Sequence, residues 1–499
     1  MSKLNVILIG ALALPLSAQS RPTANGIAAT VDSFARRIVE SGLTPGLGVA
    51  VVMDGRTVLA RGYGFSDITA RLPASDHTLW YVASTSKSYT GFAVSLLATQ
   101  GALDFSRPIT ELLPRARWPE GVEASRLTLA NFLSHTHQLN DDAVVSSAAF
   151  TGEIPEAKWP EYLRFARPRN PPNLVYSNLG YNVAAMVIDA LRPEGWRRYL
   201  DSAIYRPAGL TETYARVSGL DPRRIAMPHA LSPDGGYRTL TFFKTDATMN
   251  SAGGHLATLK DLARWITVQM DSGMLDGRRV FPAAAVALSH RMIAPHTVET
   301  SKRFGIFDRT GWAAGWDIGS YEGEPMVSRF GGYSTYRSHL SFLPRRRIGV
   351  VAQVNGGAAP AADLIAGLAY DLEAGKPNAR AVAEQRFQGL VTRLGAMKQQ
   401  IATNESQRAA RRQPMDRPLN DFAGTYRNEA MGTIRFELKG DHLEYRWGAV
   451  YGPADIFDGA KHILRIEVAG AAQTIEFHFS GPGPASSIES NGRKFERVP

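Results

Sequence analysis

Two short stretches of this chain hold residues with the types and spacing for nucleophilic catalysis. In the first, YVASTSKSYTGF (residues 81–92), Ser84 and Lys87 are three positions apart at the start of a predicted helix. Residues three apart on a helix share a face, so the lysine should lie beside the serine. A serine hydroxyl becomes a good nucleophile when a base takes its proton, and a lysine kept neutral by burial and nearby cations is such a base. Free N–H groups at a helix start can also stabilise an oxyanion.

The second stretch is Tyr176-Ser177-Asn178, just before an apolar helix. A tyrosine close to a lysine can accept a proton and return it to a leaving group. The asparagine amide can hydrogen-bond both to the lysine and to a substrate carbonyl. Both stretches also have an ordinary interpretation as helix caps. The same three-residue pattern recurs at residues 426–428 in a β-rich segment, where we interpret it as structural.

A glycine-rich segment, SRFGGYSTYRSHLSFLP (residues 328–344), is the third candidate. Glycines at an apolar strand let a ligand approach the backbone closely. We expect Arg329, Phe330, Gly331 and Gly332 to contact substrate, with the Gly332 N–H as an oxyanion donor. Arg329 brings a cation to the same edge. For Phe330 two orientations stay open: it narrows the site, or it points away into the core.

The other polar motifs predict neither a metal nor a cofactor. His135 and His137 form an H-x-H pair, but no carboxylate or third histidine stands close to them in the sequence. The chain has no cysteine, which excludes disulfides, thiolate metal sites and cysteine nucleophiles. Residues 244–246, Lys-Thr-Asp, lack a glycine and a following strand, and we assign them no catalytic role.

Composition restricts the partners. A formal net charge of +10 is scattered along the chain, and its densest runs are residues 345–347 and 411–412. Because no basic stripe with interleaved aromatics occurs, we expect no nucleic-acid partner. The start, MSKLNVILIGALALPLSAQS, has a signal-peptide pattern, so residues 1–20 predict export to the periplasm or outside the cell. No later segment has the length and apolarity of a membrane span.

The elements that must position these residues are strands at both ends of a long helical stretch. A hairpin is predicted at residues 45–67, around Asp54-Gly55, and a second at residues 339–357. The sequence between them is mostly helical, for example residues 258–270. This arrangement predicts one sheet built from both ends of a first domain, residues 25–375, with a helical subdomain inserted.

The remainder of the chain has a different character. Residues 376–417 combine a helical pattern with a polar tether and are predicted to be a helical linker. Residues 418–499 form short runs of alternating apolar and polar residues separated by turn residues. This alternation predicts a small antiparallel barrel or sandwich.

Six landmarks in this order resemble the serine β-lactamase and penicillin-binding-protein-like hydrolases, in the branch of class C β-lactamases, DD-peptidases and esterases. They are PGLGVAVVMDGRTV, ASTSKSYTGFAV, LTLANFLSHTHQL, VYSNLGYNVA, SAGGHLATLKDLARW and RFGGYSTYRSHLSFLP. The resemblance implies an α/β (α+β) fold: an antiparallel five-stranded sheet flanked by helices, plus an all-helical subdomain, with the active site between them. The last segment is similar to lipocalin-like β-modules appended to some of these hydrolases.

Carried over by position, the resemblance implies a role for each candidate residue. Ser84 corresponds to the nucleophile and Lys87 to its base partner. Tyr176 corresponds to a second base and proton shuttle, and Asn178 to a substrate-positioning amide. The backbone N–H groups of Ser84 and Gly332 correspond to the oxyanion hole.

The sequence departs from the family pattern at Arg329 and Phe330, since relatives usually begin this motif with Lys or His followed by a small residue. An arginine stays charged and can hold a carboxylate with two nitrogen atoms, which favours substrates with a carboxylate. Phe330 would favour bulky apolar esters instead.

We therefore expect an exported serine hydrolase that forms an acyl-enzyme on a small-molecule or peptide substrate, without a cofactor. Its activity is predicted to be that of a D-amino-acid-type peptidase or carboxypeptidase, or of a carboxylesterase. One alternative is a β-lactamase. Another, of a different class, is a non-catalytic protein that binds or senses peptidoglycan or β-lactams. A second copy of the chain, in a homo-oligomer, stays open as a partner.

Overall fold

The main sheet joins the two ends of the first domain, as the two hairpins predict. The computed structural model describes residues 23–169, 176–240, 244–297, 305–410 and 415–499, and the predicted signal peptide, residues 1–20, lies outside them. Leu47 pairs with Val354 and Met53 with Ile348, so the first strand of the chain lies against the last strand of the sheet. Every strand pair in this sheet is antiparallel.

The mixed α/β fold class is confirmed, but the sheet has nine strands where the resemblance implies five. In chain order they are β1 Gly46–Met53, β2 Arg56–Asp67, β3 Leu72–Pro73, β4 Ala294–Pro295, β5 Asp308–Trp312, β6 Asp317–Tyr321, β7 Glu324–Tyr333, β8 Tyr336–Leu343 and β9 Ile348–Val354. Their spatial order is β4-β5-β6-β7-β8-β9-β1-β2-β3. The edge strands β3 and β4 have two residues each, too few to show any period in the sequence.

Helices cover both faces of the sheet, and β1 shows the consequence for the sequence. Residues 46–52 are all buried, because Val49 and Val51 face one hydrophobic core while Ala50 and Val52 face the other. The first core is formed with helices Ala24–Glu40, Ala361–Glu373 and the beginning of Ala379–Ala410. The second is formed with helices Lys87–Thr99 and Leu259–Met270.

The second core continues into the predicted helical region. Its elements are helices Ile109–Leu112, Leu129–Leu133, Asp142–Ser146, Trp159–Tyr162, Leu179–Leu191, Trp196–Leu200, Arg206–Ala208 and Ala283–His290. Short strands connect them: Trp80–Tyr81, Leu139–Asn140, Arg167–Pro168, Thr213–Tyr214, His229–Leu231, Tyr237–Thr239, Leu256–Ala257, Met274–Leu275 and Arg278–Arg279. Helix Leu179–Leu191 is buried along most of its length, which explains its nearly uninterrupted apolar sequence.

The C-terminal segment is a closed barrel of eight strands, which decides between the predicted barrel and sandwich. The strands are Gly424–Asn428, Gly432–Lys439, His442–Trp447, Val450–Asp458, Ile463–Val468, Ala471–His478, Ser487–Ser490 and Arg493–Val498. In His442–Trp447 exposed and buried residues alternate strictly, as the sequence pattern predicts. Aromatic side chains fill the interior, among them Tyr426, Phe436 and Phe477.

The barrel is attached to the helical region through a short loop. The Thr433 N–H donates to the Glu153 carboxylate at 2.9 Å, and the Ala449 N–H donates to the Thr151 carbonyl at 2.7 Å. At Gly448, whose φ is +57°, an added Cβ would lie 2.0 Å from the Thr151 oxygen, so this contact requires glycine. Within the described residues, no helix combines the length and the apolarity needed to cross a bilayer.

Candidate active site

Ser84 lies in a tight turn at the boundary between the sheet and a helix. The 3-10 turn Ala83–Ser86 runs directly into helix Lys87–Thr99, so Ser84 stands at the helix entrance. Ala83 has a φ of +47°, a backbone conformation that residues with a Cβ rarely adopt. Strain of this kind persists only where the surrounding structure holds it, and it concentrates at functional sites. The turn leaves Ser84 partly exposed while its neighbours are buried.

Lys87 is fully buried beside Ser84, with its Nζ 3.1 Å from Ser84 Oγ. The same nitrogen donates to Asn178 Oδ1 at 2.7 Å and to the Ala252 carbonyl at 2.5 Å. Burial, together with the Arg329 cation, holds the pKa of Lys87 well below its usual value. A neutral amine has two N–H bonds and one lone pair. Because the two oxygen atoms can only accept, they take both N–H bonds, and the lone pair is left for the Ser84 hydroxyl.

Tyr176 approaches Ser84 from the solvent side. Its hydroxyl donates to Ser84 Oγ at 2.7 Å, and the residue is 41% exposed. Its ring packs beside His135 at 4.6 Å and stacks on Trp312 at 5.9 Å between centroids. Ser84 Oγ therefore has a buried amine on one side and a solvent-facing phenol on the other. Either can exchange a proton with it.

Arg329 lies beneath this group and is only 1% exposed. Its Nε donates to the Ser84 carbonyl at 3.2 Å, its Nη2 to the Tyr176 hydroxyl at 3.2 Å, and its Nη1 to the Asp317 carboxylate at 3.2 Å. The position is close to the candidate catalytic residues, as the sequence predicts. Because all three nitrogen atoms have protein partners and the group is buried, this placement favours a role within the network over contact with a substrate carboxylate.

Phe330 points to the other face of the sheet, which decides between its two predicted orientations. Its ring lies 4.8 Å from the His339 ring and 5.7 Å from the Phe307 ring, in the first core. Successive side chains of a strand alternate between faces, so a strand that turns Arg329 toward Ser84 must turn Phe330 away. The prediction that Phe330 contacts substrate is therefore wrong.

Gly331 allows β7 to lie directly against the Ser84 turn. A Cβ added at Gly331 would be 2.5 Å from the Val82 carbonyl oxygen and 3.0 Å from the Ser84 nitrogen. Any other residue would push the strand away from the turn. The close approach brings the backbone of Gly331 and Gly332 next to the backbone of Ser84, where the sequence predicts two oxyanion donors.

The two histidines of the H-x-H pair are turned to different neighbours. His135 is buried beside Tyr176 and accepts the Ser177 N–H at 3.3 Å, and burial lowers its pKa well below the usual value. His137 stacks on Phe132 and accepts the N–H of Leu139 at 3.1 Å. Among the described residues no group of three His, Asp or Glu is arranged to hold a metal ion.

Sequence reasoning missed the buried ion pairs behind Arg329. Asp317 is 0% exposed and lies between Arg329 and Arg309, with His296 Nε2 at 3.4 Å from its Oδ1. The available signal was a charged residue at the start of an otherwise apolar strand, in the sequence GWDIG, residues 315–319. A buried carboxylate without a partner would be strongly destabilising, so such a residue implies cations nearby.

Comparison with known proteins adds a family and a fold. The family model described as Beta-lactamase matches residues 31–374. Protein flp of Staphylococcus aureus (strain NCTC 8325 / PS 47) is 20% identical over 330 residues, which are 65% of this chain and 62% of that protein. Penicillin-binding protein 4 of Amycolatopsis lactamdurans is 26% identical over 329 residues, 63% of this chain and 82% of that protein. The chain thus spans less than two thirds of the length of protein flp.

Two solved structures share the fold. The octameric penicillin-binding protein homologue from Pyrococcus abyssi superposes with a TM-score of 0.60 at 18% identity, covering 94% of this chain and 99% of that one. The D-amino acid amidase from Ochrobactrum anthropi SV3, complexed with L-phenylalanine amide, gives a TM-score of 0.58 at 18% identity, covering 72% of this chain and 99% of that one. At these identities the likeness concerns the fold alone.

Proposed function

The chain belongs to the Beta-lactamase family, and we propose that it is a serine hydrolase in which Ser84 forms the acyl-enzyme. The observation that carries the proposal is the position of Ser84 Oγ, 3.1 Å from Lys87 Nζ and 2.7 Å from the Tyr176 hydroxyl. Ser84 has a proton acceptor, Lys87, and a proton donor, Tyr176, in reach, and it lies at a strained helix entrance beside the glycines of β7. These are the parts that acyl transfer needs.

In the acylation step, Ser84 Oγ attacks the carbonyl carbon of an amide or ester, and the hydroxyl proton passes to the lone pair of Lys87. The carbonyl oxygen becomes an oxyanion, which the N–H groups of Ser84 and Gly332 stabilise. When the bond to the leaving group breaks, Tyr176 gives its proton to that group, and the proton held by Lys87 restores the Tyr176 hydroxyl. Lys87 must start neutral, which agrees with its lowered pKa.

In deacylation a water molecule occupies the place of the leaving group. Tyr176 is the exposed member of the pair and is the one that faces this water. The Tyr176 oxygen accepts a proton from the water as it attacks the ester, and the phenol proton passes to the Lys87 nitrogen. The ester bond breaks, the proton returns to Ser84 Oγ, and the acid is released. Asn178 keeps Lys87 in place throughout through its 2.7 Å hydrogen bond.

For the substrate we propose amide bonds of D-amino acids or of peptides that end in them. The support is the fold shared with a D-amino acid amidase and with a penicillin-binding protein homologue. Arg329 is buried in the network and Phe330 faces the other core, so neither side chain selects between these substrates. β-Lactam hydrolysis is a second candidate activity, because the chain belongs to the Beta-lactamase family. Carboxyl esters would react through the same acyl-enzyme and have a better leaving group than amides.

Location and assembly are proposals of the same kind. We propose export on the signal-peptide pattern at residues 1–20. A homo-oligomer is proposed on the fold shared with an octameric homologue. Fractionation of the host cell and light scattering of the purified protein test them.

Covalent labelling tests the hydrolase proposal directly. The full chain is treated with a fluorophosphonate and, separately, with a penicillin, and the modified peptide is located by mass spectrometry. We expect an adduct on Ser84, and none in Ser84→Ala; Ser106→Ala, at an exposed serine, is the matched control. Absence of any Ser84 adduct with both reagents would contradict the proposal and favour a non-catalytic binding protein.

A substrate panel then ranks the activities. It contains a D-amino acid amide, its L-enantiomer, a peptide ending in D-Ala-D-Ala, a chromogenic cephalosporin and a nitrophenyl ester. The proposal expects the highest kcat/KM on a D-configured amide or peptide. A cephalosporin turned over faster than both would establish the β-lactamase alternative instead.

A further inference from the structure

A buried carboxylate stands one hydrogen bond behind the candidate active site. Asp317, the first residue of β6, is 0% exposed, and its Oδ2 accepts from Arg329 Nη1 at 3.2 Å. Its other oxygen forms an ion pair with Arg309 and lies 3.4 Å from His296 Nε2. Three residues from separate segments thus converge on one carboxylate. Of the three, only Arg329 belongs to the motifs that resemble the family.

The network reaches the reacting atoms through Arg329. A guanidinium is planar and rigid, so fixing one edge of it sets the direction of its other N–H bonds. Asp317 holds the Nη1 edge, which leaves Nη2 aimed at the Tyr176 hydroxyl at 3.2 Å and Nε at the Ser84 carbonyl at 3.2 Å. Without Asp317 the arginine would keep its charge but lose the group that orients it.

A buried carboxylate at this position destabilises the fold, so its presence suggests a function. A buried ion costs several kcal/mol of solvation, and replacing such pairs by apolar residues is often neutral. The pKa of Asp317 nevertheless lies below its usual range, because Arg309 and Arg329 outweigh the opposing effect of burial. Asp317 is therefore a permanent negative charge in the layer under Tyr176.

We propose that Asp317 is a positioning residue for the proton transfers at Ser84: it orients Arg329 against the Tyr176 hydroxyl and the Ser84 carbonyl, and Arg309 holds it in turn. Oriented in this way, Arg329 stabilises the negative charge that develops on the Tyr176 oxygen while a proton is in transit. This role of Asp317 rests on the proposed function of Ser84 as a nucleophile.

The two charges act on Lys87 in opposite directions, which gives the proposal a distinctive pH signature. Arg329 lowers the pKa of Lys87 and Asp317 raises it. The other titratable or charged groups that face Lys87 or Tyr176, or that pair with Asp317, are Arg309, His135, Tyr181 and His296. Only neutral Lys87 can accept the Ser84 proton. The pKa of Lys87 therefore sets the acidic limb of the curve that relates the reaction rate to pH. Neutralising Arg329 should move that limb to higher pH, and neutralising Asp317 should move it to lower pH.

The experiment uses the rate of fluorophosphonate labelling of Ser84 in the full chain, which requires no known substrate. The Ser84 oxygen displaces fluoride from phosphorus, and its proton goes to the base, so the rate reports the proton acceptor. Rates are measured between about pH 5 and pH 10 for wild type, Asp317→Asn, Arg329→Gln and Arg329→Lys. Asp363→Asn, which removes the carboxylate paired with His339 on the other side of the sheet, is the matched control. Melting temperatures are recorded for every variant.

The expected result is a tenfold to hundredfold slower labelling of Asp317→Asn at its optimum, as for other groups that orient a reacting residue. The acidic limbs should separate, with Arg329→Gln shifted up by roughly one pH unit and Asp317→Asn shifted down. Arg329→Lys keeps the charge, so its limb should stay near that of wild type while its rate stays low. Asp363→Asn should label like wild type.

Three results would overturn the proposal. The first is wild-type labelling of Asp317→Asn. The second is a shift of both limbs in the same direction, which would indicate a structural effect only. The third applies if Asp317→Asn does not fold: an unshifted limb in Arg329→Gln then decides against the proposal. A failure of the hydrolase proposal is distinct, since wild type itself would then carry no adduct on Ser84, and the role of Asp317 would fall with it.

Discussion

Ser84 and Ser341 lie on opposite sides of the same sheet, and both are within hydrogen-bonding distance of a basic side chain. Ser341 Oγ is 2.6 Å from His339 Nε2, and His339 Nδ1 is 2.8 Å from Asp363 Oδ1. This is the connectivity of a Ser-His-Asp triad. Ser84 instead has the less familiar pairing with a lysine and a tyrosine. On hydrogen bonds alone, Ser341 would be the better-known candidate.

Access to substrate separates the two serines. Ser341 is 0% exposed, and its oxygen is also 2.6 Å from the Tyr370 hydroxyl, within a closed layer between sheet and helix. The network there satisfies buried polar groups, as most such networks do. Ser84 lies next to Tyr176, which is 41% exposed, and next to Gly331 of β7. Catalysis therefore requires a space for the carbonyl and donors for its oxyanion, in addition to a base.

The largest effect expected from this comparison is on turnover. Ser84→Ala removes the nucleophile and should lower kcat by at least about 10³-fold, whereas Ser341→Ala should stay within about threefold of wild type. Steady-state kinetics on the best substrate of the panel measures both. Retained activity in Ser84→Ala, or its loss in a folded Ser341→Ala, would invert our assignment of the two serines.

Removing the hydroxyl of Tyr176 should have the next largest effect. Tyr176→Phe keeps the ring between His135 and Trp312 but has no proton to exchange, so kcat should fall about 10²–10⁴-fold with little change in KM. Tyr426→Phe, in the second Y-x-N pattern inside the barrel, is the matched control and should leave kcat unchanged. Equal effects of the two substitutions would show that the tyrosine hydroxyl of the site has no special function.

Two buried lysines predict a pH dependence of stability. Burial holds the pKa of Lys87 and of Lys244 well below the usual value, so above that lowered pKa the folded state binds fewer protons than the unfolded state. Stability should therefore rise with pH, by about 1.4 kcal/mol per pH unit for each neutral lysine, until the unfolded lysine also titrates near pH 10.5. Thermal melts between about pH 6 and pH 9 should show this slope.

Substituting each lysine distinguishes its role. Lys87→Met and Lys244→Met should each reduce the slope of stability with pH, but only Lys87→Met should abolish turnover. Lys244 donates to the carbonyls of Ala149 and Thr248 and lies 3.7 Å from the centre of the Tyr333 ring, with no part in the proton transfers at Ser84. An unchanged slope in both variants would mean that these amines are charged in the fold.

Ser341→Ala should cost stability in place of activity. It removes a hydrogen-bonding partner from both His339 and Tyr370 within a buried layer, which typically costs about 1–3 kcal/mol. Chemical denaturation gives this value directly. An unchanged free energy of unfolding would mean that the layer rearranges and that the triad-like hydrogen bonds contribute little to stability.

The smallest effect should come from Phe330, since its ring faces the first core. Phe330→Leu should change the ratio of kcat/KM between a short and a long nitrophenyl ester by less than about twofold. A side chain in the substrate site would alter that ratio strongly. A large change would therefore contradict the orientation of β7 described above.

Much of the fold and part of the site were predictable because they depend on local relations. The spacing of Ser84 and Lys87 brings them together in any helix, and the alternation in residues 442–447 specifies a strand with one buried face. The resemblance underestimated the number of strands in the sheet by four; two of the nine, β3 and β4, have two residues each and show no pattern in the sequence. The role of Phe330 was open because one strand does not reveal which of its faces meets the active site.

By itself the sequence determined which residue types stand at fixed short distances: a serine with its lysine, a tyrosine with its asparagine, and two adjacent glycines. Only the tertiary structure decided what lies behind them. Arg329, Asp317 and Arg309 come from three neighbouring strands, and their ion pairs exist because the register of those strands brings them together in a buried layer. Burial likewise distinguishes Ser84, which is partly exposed, from Ser341, which is fully buried. Both properties depend on contacts between distant segments, which no short stretch of sequence encodes.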